Sequence, residues 1–276
     1  MEKLELRETV RKKYANVAIG ANKCCCGGPS SCCSSSSAVQ ISEAIGYSQE
    51  QMASVPEGAN LGLGCGNPVA LASLREGETV VDLGSGAGFD AFLAATAVGD
   101  SGRVIGVDMT PEMISKAREN AAKGGCHNVE FRLGEIEHLP VADNSVDIII
   151  SNCVINLSPE KPQVFAEAFR VLRPGGRLAV SDIVLLKPLP PALANSVAAY
   201  VGCLAGASLK EDYLAMLRQA GFTQVEVVGE SSFNIGDMAN DPMVAAILEE
   251  ARLGVDEARE AGRSVVSLKV IARKAA

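Results

Sequence analysis

The stretch Thr79-Val-Val-Asp-Leu-Gly-Ser-Gly-Ala-Gly-Phe-Asp90 decides the fold, because a β-branched run passes directly into a glycine-rich turn. A strand, a glycine turn and a helix in this order let the backbone approach a bound nucleotide closely; the alternative is a tight turn needed only for packing. The glycine spacing is G-x-G-x-G, which differs from the G-x-G-x-x-G of dinucleotide-binding proteins and weakens an NAD assignment. The next predicted strand ends in Val-Ile-Gly-Val-Asp108, where a carboxylate can hold the two hydroxyls of a ribose.

Short β-branched runs alternate with amphipathic stretches from this turn onward. We predict strands over residues 79–83, 104–107, 129–133, 146–151, 177–184, 224–228 and 267–273. We predict helices over residues 1–20, 163–172 and 210–220, and further helices that start at Phe89 and Pro111. Buried runs interleaved with helices are typical of an α/β fold with a doubly wound, Rossmann-like, mostly parallel sheet.

The chain divides into four predicted segments. Residues 1–60 would contain an N-terminal helix and a Cys- and Ser-rich surface loop, which we expect to be mobile over 21–38 because it has neither helical nor strand periodicity. Residues 61–183 would form the nucleotide-binding α/β core. Residues 184–210 would form a cap over the carboxyl ends of the strands, and residues 211–276 would complete the sheet.

Composition and charge exclude several classes of protein. The chain has 276 residues, of which 47% are hydrophobic and 21% charged, as in ordinary globular proteins. Its net charge of −8 disfavours nucleic acid and anionic membranes as partners. The first twenty residues lack the apolar run of a secretory signal peptide, so we expect a cytoplasmic protein. The longest uncharged stretch, between Lys187 and Lys210, contains three prolines, so we predict no membrane span there.

Three motifs resemble those of class I S-adenosylmethionine-dependent methyltransferases: Asp82 to Asp90 (DLGSGAGFD), Asp108-Met-Thr110, and Val171-Leu-Arg-Pro-Gly-Gly176 before a predicted strand. The resemblance implies S-adenosylmethionine as cofactor. The glycine turn would face its methionine part, the acid after the second strand its ribose, and residues after the third strand its adenine. The Ile136 backbone or the Glu137 carboxylate would contact the adenine amino group; the alternative is an exposed acidic turn. The predicted cofactor-binding residues are Asp82, Gly84, Ser85, Gly86, Asp108, Met109, Ile136, Glu137 and Asn152.

The chain contains nine cysteines and only two histidines. Without an export signal the cysteines are expected to be reduced thiols, and no paired C-x2-C spacing indicates a zinc ribbon. Cys153 directly follows a predicted strand, Cys203 lies in the predicted cap, and Cys65 lies in a glycine-rich loop. We therefore expect these three thiols at the carboxyl ends of the strands, where open α/β sheets bind ligands. Cys126 precedes a strand, and we interpret it as a structural residue at the opposite end.

A single cysteine is more often a small buried hydrophobe than a ligand, but three converging thiols select a soft, thiophilic ion such as trivalent arsenic. The segments Leu63-Gly-Cys-Gly-Asn-Pro68, Ser151-Asn-Cys-Val-Ile-Asn-Leu157 and Tyr200-Val-Gly-Cys-Leu-Ala-Gly206 resemble the three cysteine motifs of arsenite methyltransferases. This resemblance extends over about residues 40–225. It implies that Cys65, Cys153 and Cys203 are catalytic residues that bind arsenic. Methyl groups would pass to arsenite and methylarsenite in arsenic detoxification, with glutathione or thioredoxin as reductant.

The chain departs from this family pattern at two places. Leu63 stands where eukaryotic members have an aromatic residue beside the cofactor. The N-terminal segment is also denser in thiols than in many members, with cysteines at Cys24, Cys25, Cys26, Cys32 and Cys33. These auxiliary thiols would capture arsenic or exchange disulfides; the alternative is a redundant, weakly binding tail.

Two other functions compete with arsenite methylation. A methyltransferase of a small organic acceptor, such as a quinone or a sterol, would share the Val-Leu-Arg-Pro-Gly-Gly motif but would have no use for three thiols. A non-catalytic, thiol-rich protein that binds metalloids would have no use for a nucleotide-binding glycine turn. Detection of bound S-adenosylmethionine would separate the second alternative from both enzymes.

Overall fold

A seven-stranded sheet organises the chain, with strand order β3-β2-β1-β4-β5-β7-β6. The structure is a computed structural model that describes residues 2–20, 35–232 and 255–276. Strands β1 to β5 are parallel to one another, and β7 runs antiparallel to both β5 and β6. The strands are β1 (Thr79–Leu83), β2 (Arg103–Asp108), β3 (Val129–Leu133), β4 (Val146–Asn152), β5 (Leu172–Leu185), β6 (Gln224–Ser232) and β7 (Val265–Arg273).

Helices cover both faces of the sheet, as expected for a doubly wound fold. Helices α5 and α6 pack on one face, and α7 and α10 pack on the other. A short 3-10 helix, Ile155–Leu157, follows β4. The α-helices of the described residues are α1 (Lys3–Ala18), α2 (Ser35–Ala44), α3 (Gln49–Ala53), α4 (Pro68–Ala72), α5 (Phe89–Val98), α6 (Pro111–Gly124), α7 (Lys161–Val171), α8 (Pro191–Ala194), α9 (Val197–Val201), α10 (Lys210–Gln219) and α11 (Val255–Gly262).

Neighbouring residues of the central strands point into two different hydrophobic cores, because side chains of a strand alternate between its faces. Val80 and Ile148 pack with α5 and α6, whereas Val81 and Ile149 pack with α7 and α10. All four side chains are fully buried. This burial on both faces explains the near-continuous apolar runs of the strands. The parallel pairing of β1 to β5 places their carboxyl ends at one edge of the sheet.

The predicted α/β fold is confirmed, and two local predictions are wrong. Residues 35–38 belong to α2 rather than to a loop; the remainder of the predicted loop, residues 21–34, lies outside the described residues. Strand β5 begins at Leu172, not at residue 177, because Leu172 already pairs with Val146 before the ladder shifts its register and resumes at Arg177. The sequence did not predict this early pairing because the stretch contains a proline and two glycines, which are uncommon in strands.

A third cluster of buried side chains lies at the carboxyl edge of the sheet. It contains Cys65 and Cys203 together with Val10 of α1, Ile183 of β5 and Leu193 of α8. The segment between β5 and α10 thus packs at this edge together with α1, which also contacts α6 and α9. Among the described residues, no helix is both long and apolar enough to cross a membrane.

Candidate active site

The glycine turn after β1 is held against the end of β2. The amides of Gly84 and Ser85 donate to the carbonyl of Val107 at 2.8 and 3.0 Å. Gly84 has a φ of +65°, and a Cβ at this position would overlap the side chain of Val154. Both the backbone conformation and the close approach therefore require glycine here.

The Asp108 carboxylate at the end of β2 is oriented by two backbone amides. Its Oδ2 accepts from the Gly86 amide at 3.0 Å, and its Oδ1 accepts from the Thr110 amide at 2.8 Å. Burial raises the pKa of Asp108, although these two hydrogen bonds lower it in part. Each oxygen keeps a second lone pair, as the predicted bond to two ribose hydroxyls requires.

A cavity of about 280 Å³ extends from this turn across the carboxyl ends of the strands. Leu63, Cys153 and Cys203 also line it. Cys65 is buried outside this lining, with its sulfur within 4.8 Å of the Cys153 sulfur. The structure therefore brings all nine predicted cofactor-binding residues to one cavity wall: Asp82, Gly84, Ser85, Gly86, Asp108, Met109, Ile136, Glu137 and Asn152.

Glu137 is not part of an exposed acidic turn, so that alternative is wrong. Only 4% of the residue is exposed, and its Oε1 accepts from Ser158 Oγ at 2.6 Å and from Arg7 Nη2 at 3.2 Å. Arg7 also donates to Glu160 at 2.7 Å, and so joins α1 to the start of α7. Helix α1 is thus anchored beside the segment predicted to contact adenine.

Asn152 at the end of β4 connects the cofactor cavity to the Cys65 loop. Its Oδ1 accepts from the Cys65 amide at 3.0 Å, and its Nδ2 donates to the Gly66 carbonyl at 2.9 Å. The same Nδ2 is within 2.9 Å of Tyr47 Oη and 3.1 Å of Asp90 Oδ2. The Asn152 side chain therefore positions the loop that carries Cys65, in addition to lining the cavity.

Two buried carboxylates flank the glycine turn. Asp90 accepts from Tyr47 Oη at 2.6 Å, and burial raises its pKa to about 6. Burial, and then the charges of Asp90 and Asp108, raise the pKa of Asp82 well above its usual value. Within the described residues, Asp82 Oδ2 has no hydrogen-bond partner. Such a buried acceptor is suited to a cationic or hydrogen-bond-donating ligand.

Three of the four cysteines in the described ranges converge at the carboxyl edge. Cys203 Sγ donates to the Cys153 carbonyl at 2.8 Å, and Cys65 Sγ donates to the Ser181 carbonyl at 3.5 Å. The sulfurs of Cys65 and Cys153 and a carboxylate oxygen of Asp182 all lie within 4.8 Å of one another. Cys126 is partly exposed and lies at the other end of the sheet, as its position before β3 predicted.

The environment keeps these thiols protonated. Burial raises the pKa of Cys65, and a hydrogen bond to Cys153, then burial, raise the pKa of Cys203 well above its ordinary value. For Cys153 the hydrogen bond to Cys203 lowers the pKa, but its hydrogen bond to Cys65 and its burial outweigh this effect and raise the pKa well above the usual range. The site therefore presents neutral thiols at neutral pH.

The site residues that were not predicted from the sequence include Tyr47, Asp90 and Asp182. Asp182 is fully buried at the end of β5, where it accepts from Tyr213 Oη at 3.1 Å and from Asn156 Nδ2 at 3.0 Å. The available signals were an acid inside the apolar run 177–184 and a second acid directly after the glycine turn. Tyr47 had no such signal, because it reaches the site only through packing of the segment before α3.

Comparisons with known proteins show which proteins the chain is similar to. Residues 74–221 match the methyltransferase domain family. The chain is 51% identical to an arsenite methyltransferase of Halobacterium salinarum over 94% of this chain and 68% of that protein. It is 43% identical to an arsenite methyltransferase of Aquipseudomonas alcaligenes, over 64% of this chain and only 52% of the relative. A solved arsenic (III) S-adenosylmethionine methyltransferase from Chlamydomonas reinhardtii is 33% identical, with a TM-score of 0.61, over 87% of this chain and 73% of that one.

The sheet order, the glycine turn and the domain match define a class I S-adenosylmethionine-dependent methyltransferase. Within this class, the relatives described above that match most of the chain are methyltransferases of trivalent arsenic. The chain belongs to the arsenite methyltransferase family.

Proposed function

We propose that this chain transfers methyl groups from S-adenosylmethionine to arsenite and methylarsenite while the thiols of Cys65, Cys153 and Cys203 hold the arsenic. The convergence of these thiols beside the cofactor cavity carries the proposal. Three thiols and As(OH)3 give three As–S bonds and three water molecules, with each thiol proton leaving on a hydroxyl oxygen. Because this exchange is neutral overall, it suits a site whose burial disfavours free thiolates.

The residues of the cavity fit S-adenosylmethionine. Gly84 leaves room for close backbone approach, Asp108 offers two acceptor oxygens, and Asp82 has a buried oxygen that lacks a partner among the described residues. Four acidic side chains in one cavity also complement a cofactor that carries a sulfonium and an ammonium group. When bound, S-adenosylmethionine supplies the methyl group that the lone pair of the thiol-bound arsenic attacks.

The chain contributes positioning and exclusion of water rather than acid–base chemistry. Cys153 and Cys203 fix the arsenic at the end of the cavity, and Asn152 holds the third thiol of Cys65 in register with them. Orientation of this kind accounts for about 7 kcal/mol or more of barrier lowering in other reactions. Tyr14 of α1 donates to the Val201 carbonyl at 3.3 Å and helps to shield the thiols from water.

The proposal also assigns roles to the auxiliary N-terminal thiols and to a reductant. Cys24, Cys25, Cys26, Cys32 and Cys33 lie outside the described residues, and we assign them to capture of arsenic or to disulfide exchange. Glutathione or thioredoxin in the cytoplasm would reduce pentavalent product and any disulfide formed. The two alternatives are less well supported, because an organic acceptor leaves the converging thiols unexplained and a sequestering protein leaves the cavity unexplained.

The deciding experiment incubates the purified chain with S-adenosylmethionine, arsenite and a thiol reductant, and then separates and quantifies the arsenic species. We expect methylated arsenic from the wild type and at least a hundredfold less from Cys203→Ser. The matched control is Cys126→Ser, which removes a thiol at the far end of the sheet and should retain activity. Bound cofactor without any methylated arsenic would contradict the proposal and direct attention to organic acceptors.

A further inference from the structure

Asp182 is a carboxylate that the proposed methyl transfer does not use. It is fully buried, yet one of its oxygens lies within 4.8 Å of the sulfurs of both Cys65 and Cys153. Burying a carboxylate is unfavourable, and burial raises the pKa of Asp182 to about 7, although the hydrogen bond from Tyr213 and the charge of Lys161 lower it in part. Because this burial is unfavourable and the carboxylate lies beside the thiols, we expect Asp182 to have a function at the site.

We propose that Cys65, Cys153, Cys203 and Asp182 together form a tetrahedral binding site for a divalent, thiophilic cation, Zn²⁺ or Cd²⁺, which competes with arsenite. The proposal rests on the same three thiols as the proposed function. Three sulfurs and one carboxylate oxygen are a donor set that suits these d¹⁰ ions, which take four ligands without a further electronic preference for geometry. On binding, the three thiol protons pass to the buffer and the metal forms three M–S bonds and one M–O bond.

The positions of the donors are compatible with such a site. A tetrahedral ion with bonds of about 2.3 Å to sulfur and about 2.1 Å to oxygen separates its ligands by roughly 3.5–3.8 Å. The sulfurs of Cys65 and Cys153 and the Asp182 oxygen need only a small contraction from their mutual distances of up to 4.8 Å. Cys203 Sγ lies outside this group of three donors, 2.8 Å from the Cys153 carbonyl, and the proposed site requires its side chain to rotate toward them.

Hydrogen bonds orient Asp182 as they orient carboxylate ligands in known metal sites. Oδ1 accepts from Asn156 Nδ2 at 3.0 Å and from the Ile183 amide at 3.1 Å. Oδ2 accepts from Tyr213 Oη at 3.1 Å and keeps a second lone pair for a cation. The partners lie on three different elements, so the carboxylate is fixed before any ion arrives.

The need for a fourth donor distinguishes the divalent ions from trivalent arsenic as ligands of this site. Trivalent arsenic with three sulfurs keeps a stereochemically active lone pair and needs no fourth ligand, whereas Zn²⁺ and Cd²⁺ do. Removing the charge of Asp182 should therefore weaken binding of the divalent ion much more than binding of arsenite. Asp182→Asn is the suitable change, because its amide oxygen can still accept from Asn156 and Ile183 and its amide nitrogen can donate to Tyr213.

The test uses the full chain with Cys24, Cys25, Cys26, Cys32, Cys33 and Cys126 replaced by serine, so that only the three site thiols remain. Cd²⁺ is titrated while the thiolate-to-cadmium charge-transfer absorption is recorded, and arsenite is added as competitor. We expect one Cd²⁺ per chain, release by arsenite, and at least tenfold weaker Cd²⁺ binding in Asp182→Asn with less than a threefold change for arsenite. Neither measurement contains S-adenosylmethionine, so a failed methylation assay does not decide this result.

Two outcomes would overturn the inference. One is Cd²⁺ affinity that is unchanged in Asp182→Asn; the other is an equal loss of Cd²⁺ and arsenite binding. Retained arsenite binding is itself the check that the variant folds. If the variant fails to fold, the cadmium NMR shift of the three-thiol chain decides instead, since an oxygen ligand beside three sulfurs moves it away from the value of an all-sulfur site. A shift without that oxygen contribution rejects the role of Asp182.

Discussion

Two of the arsenic-binding candidates have an unusual backbone. Cys153 has a φ of +59° and Cys203 a φ of +64°, a region that non-glycine residues seldom adopt. Each such residue costs on the order of 1 kcal/mol or more, and persists only where the surrounding structure imposes it. Both residues lie at the thiol site, where Cys203 Sγ donates to the Cys153 carbonyl at 2.8 Å. The strain thus supports a functional role for these two positions over a packing role.

Gly84 allows a direct test of the glycine turn at the level of one residue. Gly84→Ala would add a Cβ into the side chain of Val154 at a φ of +65°. We expect S-adenosylmethionine affinity to fall at least tenfold, and the free energy of unfolding to fall by about 1–3 kcal/mol. Isothermal titration and chemical denaturation measure the two effects.

Gly175 provides the control for Gly84. It has a φ of +79°, but a Cβ there would meet nothing within 4 Å. Gly175→Ala should therefore show the backbone penalty of about 1 kcal/mol without loss of cofactor affinity. Equal cofactor affinity in both variants would mean that the turn does not contact the cofactor.

Site residues could be predicted from the sequence when the pattern that indicates them lies in the neighbouring residues. Gly84 and Asp108 follow predicted strands, so their positions could be predicted from periodicity and turn chemistry. Tyr47 and Asp90 meet across 43 residues of chain, and Tyr47 meets Asn152 across 105. Contacts over such separations depend on how helices pack, which one sequence does not specify.

At the level of elements, α1 was predicted as a charged helix, but not as part of the active site. Its Val10 is fully buried beside Cys65 and Cys203 in the third cluster, and its Arg7 reaches Glu137 and Glu160. Strands were predicted more completely than this helix, because burial on both faces leaves a continuous apolar signal. The packing partner of a polar helix leaves no equivalent signal.

Arg7 is expected to hold α1 against the cofactor segment. Arg7→Ala leaves the buried carboxylate of Glu137 with Ser158 as its remaining side-chain donor. We expect a loss of about 1–3 kcal/mol in the free energy of unfolding, because 19% of the Arg7 side chain and 5% of the Glu137 side chain are exposed. Hydrogen exchange of the α1 amides should accelerate at least tenfold, as measured by mass spectrometry.

Lys12→Ala is the matched control on the same helix. Lys12 pairs with Glu8 at 3.5 Å but 72% of its side chain is exposed, so its removal should change stability by less than about 0.5 kcal/mol. If exchange in α1 were as slow in Arg7→Ala as in Lys12→Ala, the ion pairs with Glu137 and Glu160 would not be what holds the helix.

At the scale of the whole molecule, the thiol site joins parts of the chain that are far apart in sequence. Cys65 precedes α4, Cys153 follows β4, and Cys203 lies between α9 and α10. The Cys65 loop is held on two sides, since its amide binds Asn152 of β4 and its carbonyl accepts from Ser267 of β7 at 2.8 Å. The site therefore exists only when the sheet is complete from β4 to β7.

This dependence predicts that arsenite stabilises the entire fold rather than one loop. A ligand that binds only the native state adds about 2.7 kcal/mol at a concentration one hundred times its dissociation constant. For a chain of this size the midpoint of thermal unfolding should rise by about 5–10 °C. Most of the rise should disappear in Cys203→Ser and remain in Cys126→Ser, because only the first variant removes a site thiol. A full rise in Cys203→Ser would mean that arsenite binds elsewhere, and the five-serine variant of Cys24, Cys25, Cys26, Cys32 and Cys33 would then show whether the N-terminal thiols are responsible.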